Sequence, residues 1–154
     1  MIKITLIAVG TLKNKALQSL ADDYIKRLRP YARFELIETK AVSFGRSDKD
    51  KAKKLEKDGL EKVLHRFPTD SIYLLAEQGH LYDSIAWADF MDSRDASDLV
   101  LVVGGALGWD KELLKKYPCL SLSSLTFPHE LARVVLLEQI YRGLLIKMNK
   151  EYHY

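Results

Sequence analysis

The residues best suited to chemistry in this sequence gather in one stretch, Cys119 to Tyr141, which reads CLSLSSLTFPHELARVVLLEQIY. A short apolar strand runs into the hydroxyl-rich segment Ser121 to Thr126, Pro128 breaks the chain, and a helix begins with His129, Glu130 and Arg133 on its first turns. Strand, polar loop and helix N-terminus in that order form a common frame for a small-molecule pocket. The first helical N–H groups lack partners within the helix, and Ser and Thr add hydroxyls that both donate and accept. The same residues also suit an ordinary strand-to-helix connection with Thr126 as its N-cap, so the rest of the chain has to decide. A second loop of interest is Gly104-Gly105-Ala106-Leu107-Gly108. Its spacing is not the dinucleotide fingerprint and it lacks the Gly-Lys-Ser/Thr of a phosphate loop, which disfavours a pyrophosphate. Main chain at such glycines can still approach an adenosine closely, and a plain turn fits equally.

Other candidate groups are scattered. The histidines His65, His80, His129 and His153 have no ligand spacing, so no metal site is expected. Glu138 and Arg142 sit four apart on one helix and can pair. The segment Glu151-Tyr152-His153-Tyr154 either frays or offers aromatic rings to a splayed nucleobase. A lone cysteine, Cys119, excludes an internal disulfide and fits a reducing, cytoplasmic setting; in an apolar strand it reads as core rather than nucleophile. No apolar run reaches the roughly 18 residues of a membrane span, and the opening MIKITLIAVG reads as a buried strand rather than a signal segment. The net charge of +3 permits an anionic partner such as RNA without requiring one.

These groups must be positioned by alternating elements. Strands are expected at Ile2 to Val9, Arg33 to Thr39, Ser71 to Ala76, Asp98 to Val103 and from Cys119. Lys15 to Leu28 carries a helical apolar stripe at Leu17, Leu20, Ala21, Tyr24, Ile25 and Leu28. Lys49 to Arg66 is a highly charged helix with Leu55, Leu60, Val63 and Leu64 inside; its lysines suit a solvated face better than an RNA contact. Shorter helices follow at Ser84 to Met91 and after the Asp110 cap to Lys116. Polar loops are expected at Ala41 to Asp48, Glu77 to His80 and Ser93 to Ser97. The continuous apolar run of Asp98 to Val103 suits a strand covered on both faces, and the alternation implies one α/β domain over residues 1–154 with a mostly parallel sheet flanked by helices. The last helix, Phe127 to about Met148, is apolar round most of its circumference, which calls either for a homodimer or for one wide core face.

The motifs I-K-I-T-L-I-A-V-G at the start, V-V-G-G-x-x-G at 102–108, L-S-L-S-S-L-T-F-P-H at 120–129, R-V-V-L-L-E-Q-I-Y-R at 133–142 and Y-H at 152–153 form one set. Over the full length and in order, they resemble the ribosomal RNA large subunit methyltransferase H family, of the SPOUT class of knotted methyltransferases. The resemblance implies a C-terminal deep trefoil knot, a homodimer, and S-adenosylmethionine as cofactor. It implies methylation of N3 of a pseudouridine in 23S rRNA, in a stem-loop of the assembled ribosome. By the same match the cofactor site comprises Leu75, Gly104, Leu122, Ser123, Ser124, Leu125, Thr126 and Phe127. Two departures stand out: Ala76, followed by Glu77, replaces an acidic residue of the relatives, and His80 replaces a lysine.

On that reading the nucleobase N3 displaces the methyl group in line, and positioning is the enzyme's main contribution. His129 and His153 are the candidate bases, Arg133 and Arg142 hold phosphate or a carbonyl oxygen, and Tyr152 stacks on the base. A non-catalytic RNA or ribosome-binding factor of the same fold, and a knotted methyltransferase acting on tRNA, are the competing readings.

Overall fold

The computed structural model describes residues 1–45, 48–94 and 97–152. In chain order the elements are β1 (Lys3–Val9), α1 (Lys15–Leu28), β2 (Arg33–Thr39), α2 (Lys49–Leu64), β3 (Ile72–Leu81), α3 (Ser84–Asp92), β4 (Asp98–Val103), α4 (Lys111–Lys116), β5 (Cys119–Ser121) and α5 (His129–Lys147). The strands form one five-stranded sheet in the order β2-β1-β4-β3-β5, and every pair is parallel.

Strand alternation places side chains on two faces. Ile4, Leu6 and Ala8 of β1 and Leu99, Leu101 and Val103 of β4 join the core formed with α1, α3 and α5. Ile7 and Val9, with Val100 and Val102, join the core formed with α2 and α4. Both central strands are therefore covered twice, as their unbroken apolar runs require. Local signals set the helix starts: Asn14 Oδ1 accepts from the Ala16 and Leu17 N–H groups, Asp83 Oδ1 from Ala86, and Asp110 Oδ1 from Glu112.

Four expectations are corrected. β3 runs on to Leu81, where a loop was expected at Glu77 to His80. Pairing with β4 stops at Leu75, while β5 is paired at Leu74 and Leu75 and again at His80 and Leu81, with a register break between Leu75 and His80. Gly79 makes this possible: a Cβ there would lie 2.5 Å from the main-chain carbon of Leu120. The polar Glu-Gln-Gly-His run reads as a turn locally, but tertiary pairing overrides it. Second, α5 begins at His129 rather than Phe127, because the proline at 128 holds the residue before it out of the helical region, and Pro128 itself has ψ 141. Thr126 is thus not its N-cap. Third, Leu55 is 49% exposed, and the inner row of α2 is Ala52, Glu56, Leu60 and Leu64. Glu56 is tolerated there because its Oε1 accepts the Val42 N–H at 3.0 Å. Fourth, Leu20 is 44% exposed and drops out of the α1 stripe.

The apolar circumference of α5 finds cover within the chain: the sheet core lies on one side, with α1 and α3 along its flanks. Trp87 of α3 donates its indole N–H to the Gln139 carbonyl at 2.9 Å. Among the described residues no helix is long and apolar enough to cross a membrane.

Candidate active site

The C-terminal ends of β4 and β5, together with the middle of β3 where it leaves β4, open onto a cavity of about 320 Å³. Its wall combines Leu75 to Gln78 of β3, the glycines 104, 105 and 108 with Trp109, the run Ser121 to Ser123, Leu125 and Phe127, and His129 and Ala132 of α5. The β5–α5 connection is shaped by its own hydroxyls: Ser121 Oγ donates to the Ser123 carbonyl at 2.9 Å, and Ser123 Oγ accepts the Leu125 N–H at 3.0 Å. This leaves an inner surface of aliphatic and aromatic carbon with main-chain polar groups and a rim of Glu77, Gln78 and His129. Such a slot suits a neutral planar ring inside and a charged group at the edge.

Of the residues matched by motif to a cofactor site, Leu75, Gly104, Leu122, Ser123, Leu125 and Phe127 line this cavity, whereas Ser124 and Thr126 are exposed beside it. His129 also lines it. Arg133 does not: it is 2% exposed, donating Nη1–H to Glu38 Oε2 at 2.6 Å and Nη2–H to the Gly10 carbonyl at 2.8 Å. Its Nε–H has no hydrogen-bond partner among the described residues. Arg133 thereby ties the first turns of α5 to the ends of β1 and β2. One turn earlier Glu130 accepts the N–H groups of Lys13 and Asn14, and the Lys13 N–H is the main reason its carboxyl lies below the usual carboxylate range. The start of α5 is therefore fixed by an anion and a cation on neighbouring turns.

Arg142 and Tyr152 lie elsewhere. Thirteen residues separate His129 from Arg142 (142 − 129), about 20 Å along a helix at 1.5 Å per residue. There Glu138 Oε1 accepts from Arg142 Nε at 3.0 Å and Nη2 at 2.6 Å, and from the Tyr152 hydroxyl at 3.4 Å. The guanidinium carbon stands 4.8 Å from the centre of the Tyr152 ring, and Tyr141 meets that ring edge-on at 5.1 Å. Burial, then hydrogen bonding with Tyr24, pushes the Tyr152 phenol up to about 12. Bonding to Glu138 raises the Arg142 guanidinium further above its already high value. His153 lies outside the described residues.

Several contributors were not anticipated as site residues. Trp109 donates its indole N–H to the Leu75 carbonyl at 2.6 Å across the cavity wall. A second cavity of about 540 Å³ shares Leu75, Ser121 and Leu122 with the first and is closed by Tyr82, Trp87 and Gln139. Its residues come from three distant segments, and nothing in their local spacing marks them. Cys119 is half-buried, its thiol donating to the Tyr117 carbonyl at 3.7 Å, and burial pushes the thiol pKa up, away from a nucleophile's range. Among the described residues no group of three or more histidine, cysteine or acidic side chains converges as a metal site would need.

This geometry can be set beside known proteins. Residues 2–153 match the family described as predicted SPOUT methyltransferase. The chain is 39% identical over 156 aligned positions, covering 98% of each chain, to ribosomal RNA large subunit methyltransferase H of Flavobacterium psychrophilum. Two solved structures share the fold at low identity. One, described as a methyltransferase of Legionella pneumophila with S-adenosylmethionine bound, is 13% identical with a TM-score of 0.53, over 95% of this chain and 66% of that one. The other, from work on 2-OH methylation of C/U34 on tRNA, is 14% identical with a TM-score of 0.52, over 93% and 97%. The chain belongs to the SPOUT methyltransferase family, in its ribosomal RNA large subunit methyltransferase H branch.

Proposed function

We propose that this protein methylates N3 of a pseudouridine in 23S rRNA of the assembled ribosome, using S-adenosylmethionine, as a cytoplasmic homodimer of one-domain subunits with a knotted C-terminal segment. The observation that carries the cofactor reading is the convergence of six motif-matched residues, Leu75, Gly104, Leu122, Ser123, Leu125 and Phe127, on one cavity where β4 and β5 end and β3 leaves β4. Open α/β sheets bind ligands at that edge. The cavity fits the group: an apolar slot for a purine with main-chain partners, and a polar rim for an amino-acid end. The RNA reading rests on the full-length kinship with a ribosomal RNA methyltransferase.

S-adenosylmethionine, when bound, supplies an electrophilic methyl group on a sulfonium. The chain's own residues then have three tasks. Leu75, Gly104 and the segment from Leu122 to Phe127, Ser124 and Thr126 included at its exposed side, hold the cofactor. A base must take the N3 proton, since a protonated imide nitrogen is a poor nucleophile; His129, on the cavity wall, is the candidate within the described residues, and His153 the other. Tyr152 does not take that role, because a phenol at about 12 keeps its proton at neutral pH; it stacks or donates instead. Arg142 offers a charge-assisted contact to a phosphate or base carbonyl, while Arg133 acts through position, holding the α5 start.

The separation of about 20 Å between His129 and Arg142 on one helix is too great for a single acceptor nitrogen, which must come within roughly 3–3.5 Å of the methyl carbon. A second copy supplying the Arg142 end completes the site. Methylation assays on 70S ribosomes, free large subunits and naked rRNA test the substrate: activity confined to ribosomes is expected, and full activity on naked rRNA contradicts it. Absence of S-adenosylmethionine binding in calorimetry would favour a non-catalytic RNA-binding factor. Among the bases, unchanged turnover in His153→Ala with loss in His129→Ala assigns the proton to His129.

A further inference from the structure

Trp109 occupies a position that no motif assigns. It follows a turn closed by Gly108 N–H on the Gly105 carbonyl at 3.1 Å, with Gly108 at φ 74. It directly precedes Asp110, which caps α4 through the Glu112 N–H at 2.8 Å and faces Lys57 Nζ at 3.9 Å. Lys57 also pairs with Glu112, so the backbone on the far side of the indole is fastened to α2. On the near side the ring lies over Gly104, where an added Cβ would come within 3.2 Å of it. Its N–H reaches the Leu75 carbonyl at 2.6 Å.

Leu75 is where β3 leaves β4: Leu75 opposite Val103 is the last pair between them. Beyond this pair the β4 side of β3 has no further strand partner, although Leu75 itself stays paired with Leu120 of β5. The indole N–H fixes the Leu75 carbonyl, and a carbonyl oxygen carries a second lone pair that remains available to a donor inside the cavity. The lining beside it includes carbon from Leu75, Trp109, Leu122 and Phe127, and the ionisable side chains among the lining residues are Glu77 and His129. A purine with an exocyclic amine matches that inner corner: a flat apolar face, and one N–H donor for one oriented acceptor.

We propose that Trp109 is a cofactor-binding residue of this chain, walling the adenine with its ring and presenting the Leu75 carbonyl to the exocyclic amine. The proposal rests on the cofactor reading given above. Tryptophan occurs twice in the chain, and Trp87 sits between α3 and α5 with its N–H already on Gln139, away from the first cavity. Titrating the protein with S-adenosylhomocysteine should therefore change its tryptophan emission, and the change should vanish in Trp109→Phe. By calorimetry Trp109→Phe should bind about fivefold more weakly, the usual net effect of one hydrogen bond, and Trp109→Leu more weakly still. The native protein should reject an analogue whose exocyclic amine is dimethylated by about tenfold or more, because a buried acceptor is left without its donor. Trp109→Phe should narrow that discrimination, which a purely structural role would leave alone. An emission change that persists in Trp109→Phe, or wild-type affinity and discrimination in that variant, overturns the proposal. No binding to the native protein removes the cofactor reading itself, a result distinct from either.

Discussion

The two ends of α5 are built on opposite principles. At its start, around His129, main chain and carbon predominate: two strand ends, the middle of β3, a glycine loop and a short hydroxyl-rich turn shape a slot, and the nearby ions Arg133 and Glu130 hold the frame. At its far end, around Arg142, side chains make the surface: a carboxylate, a guanidinium and edge-to-face tyrosines on one helix and the segment after it. The first design suits a small, mostly neutral ligand that must be held in one pose. The second suits an anionic polymer, for which oriented cations and aromatic rings matter more than enclosure. On the proposed function, one helix carries two kinds of surface about 20 Å apart, and a second copy would be needed to bring them together.

The two ends of α5 should separate most clearly at Arg142. Arg142→Ala should lower turnover on ribosomes by about a hundredfold or more, the scale of losing a positioning contact, and leave S-adenosylmethionine affinity unchanged by calorimetry. A matching loss of cofactor affinity would show that the two ends are not separate. Gly79→Ala tests the other end. With a Cβ 2.5 Å from the β5 main chain, the strand pair must shift, at an expected cost of about 2–3 kcal/mol in denaturant unfolding and with weaker cofactor binding. The Tyr152 phenol, titrated by its ultraviolet absorbance near pH 12, should stay where it is in that variant, since its partners Tyr24, Glu138, Arg142 and Tyr141 lie on α1 and α5 rather than on β3 or β5.

The smallest effect belongs to Glu130. Its carboxyl is held below the ordinary value in the folded protein, so its contribution is present above the unfolded carboxylate pKa and is lost as pH falls through the lower folded one. Glu130→Gln should flatten the stability–pH curve in that acid window and leave it parallel to the native one at neutral pH. The carboxylate is open enough to solvent for water to screen it, so the change is modest. A variant curve that diverges from the native one near pH 7 instead would contradict this assignment.

Much of the frame was legible because local and tertiary preferences agree. The α1 span from Lys15 to Leu28, β2 from Arg33 to Thr39 and β4 from Asp98 to Val103 fall where periodicity and β-branched runs place them. The site was legible only in part. Leu75, Gly104 and the Leu122 to Phe127 run could be matched by motif, because each sits on a strand end or turn with its own sequence pattern. The β3 extension was hidden, since Glu77 to His80 looks like a turn until β5 is brought alongside. Glu56 in the α2 interior and the Arg133 bridge to Glu38 were equally hidden: each depends on a partner far away in the chain, Val42 for one and residues 95 positions distant for the other. Burial of a charge is decided by its partner, and spacing within one helix carries no trace of it.

Within one copy the cavity at His129 and the cluster at Arg142 stay about 20 Å apart along α5, so the proposed site needs two copies. Purified Arg142→Ala and His129→Ala proteins, each inactive alone, should be unfolded together, refolded as a mixture and assayed for methyl transfer to 70S ribosomes. Return of activity on mixing is the predicted result, because a mixed dimer contains one site with an intact base and an intact Arg142. A mixture as inactive as its parts, with exchange of subunits verified by mass, would contradict the claim.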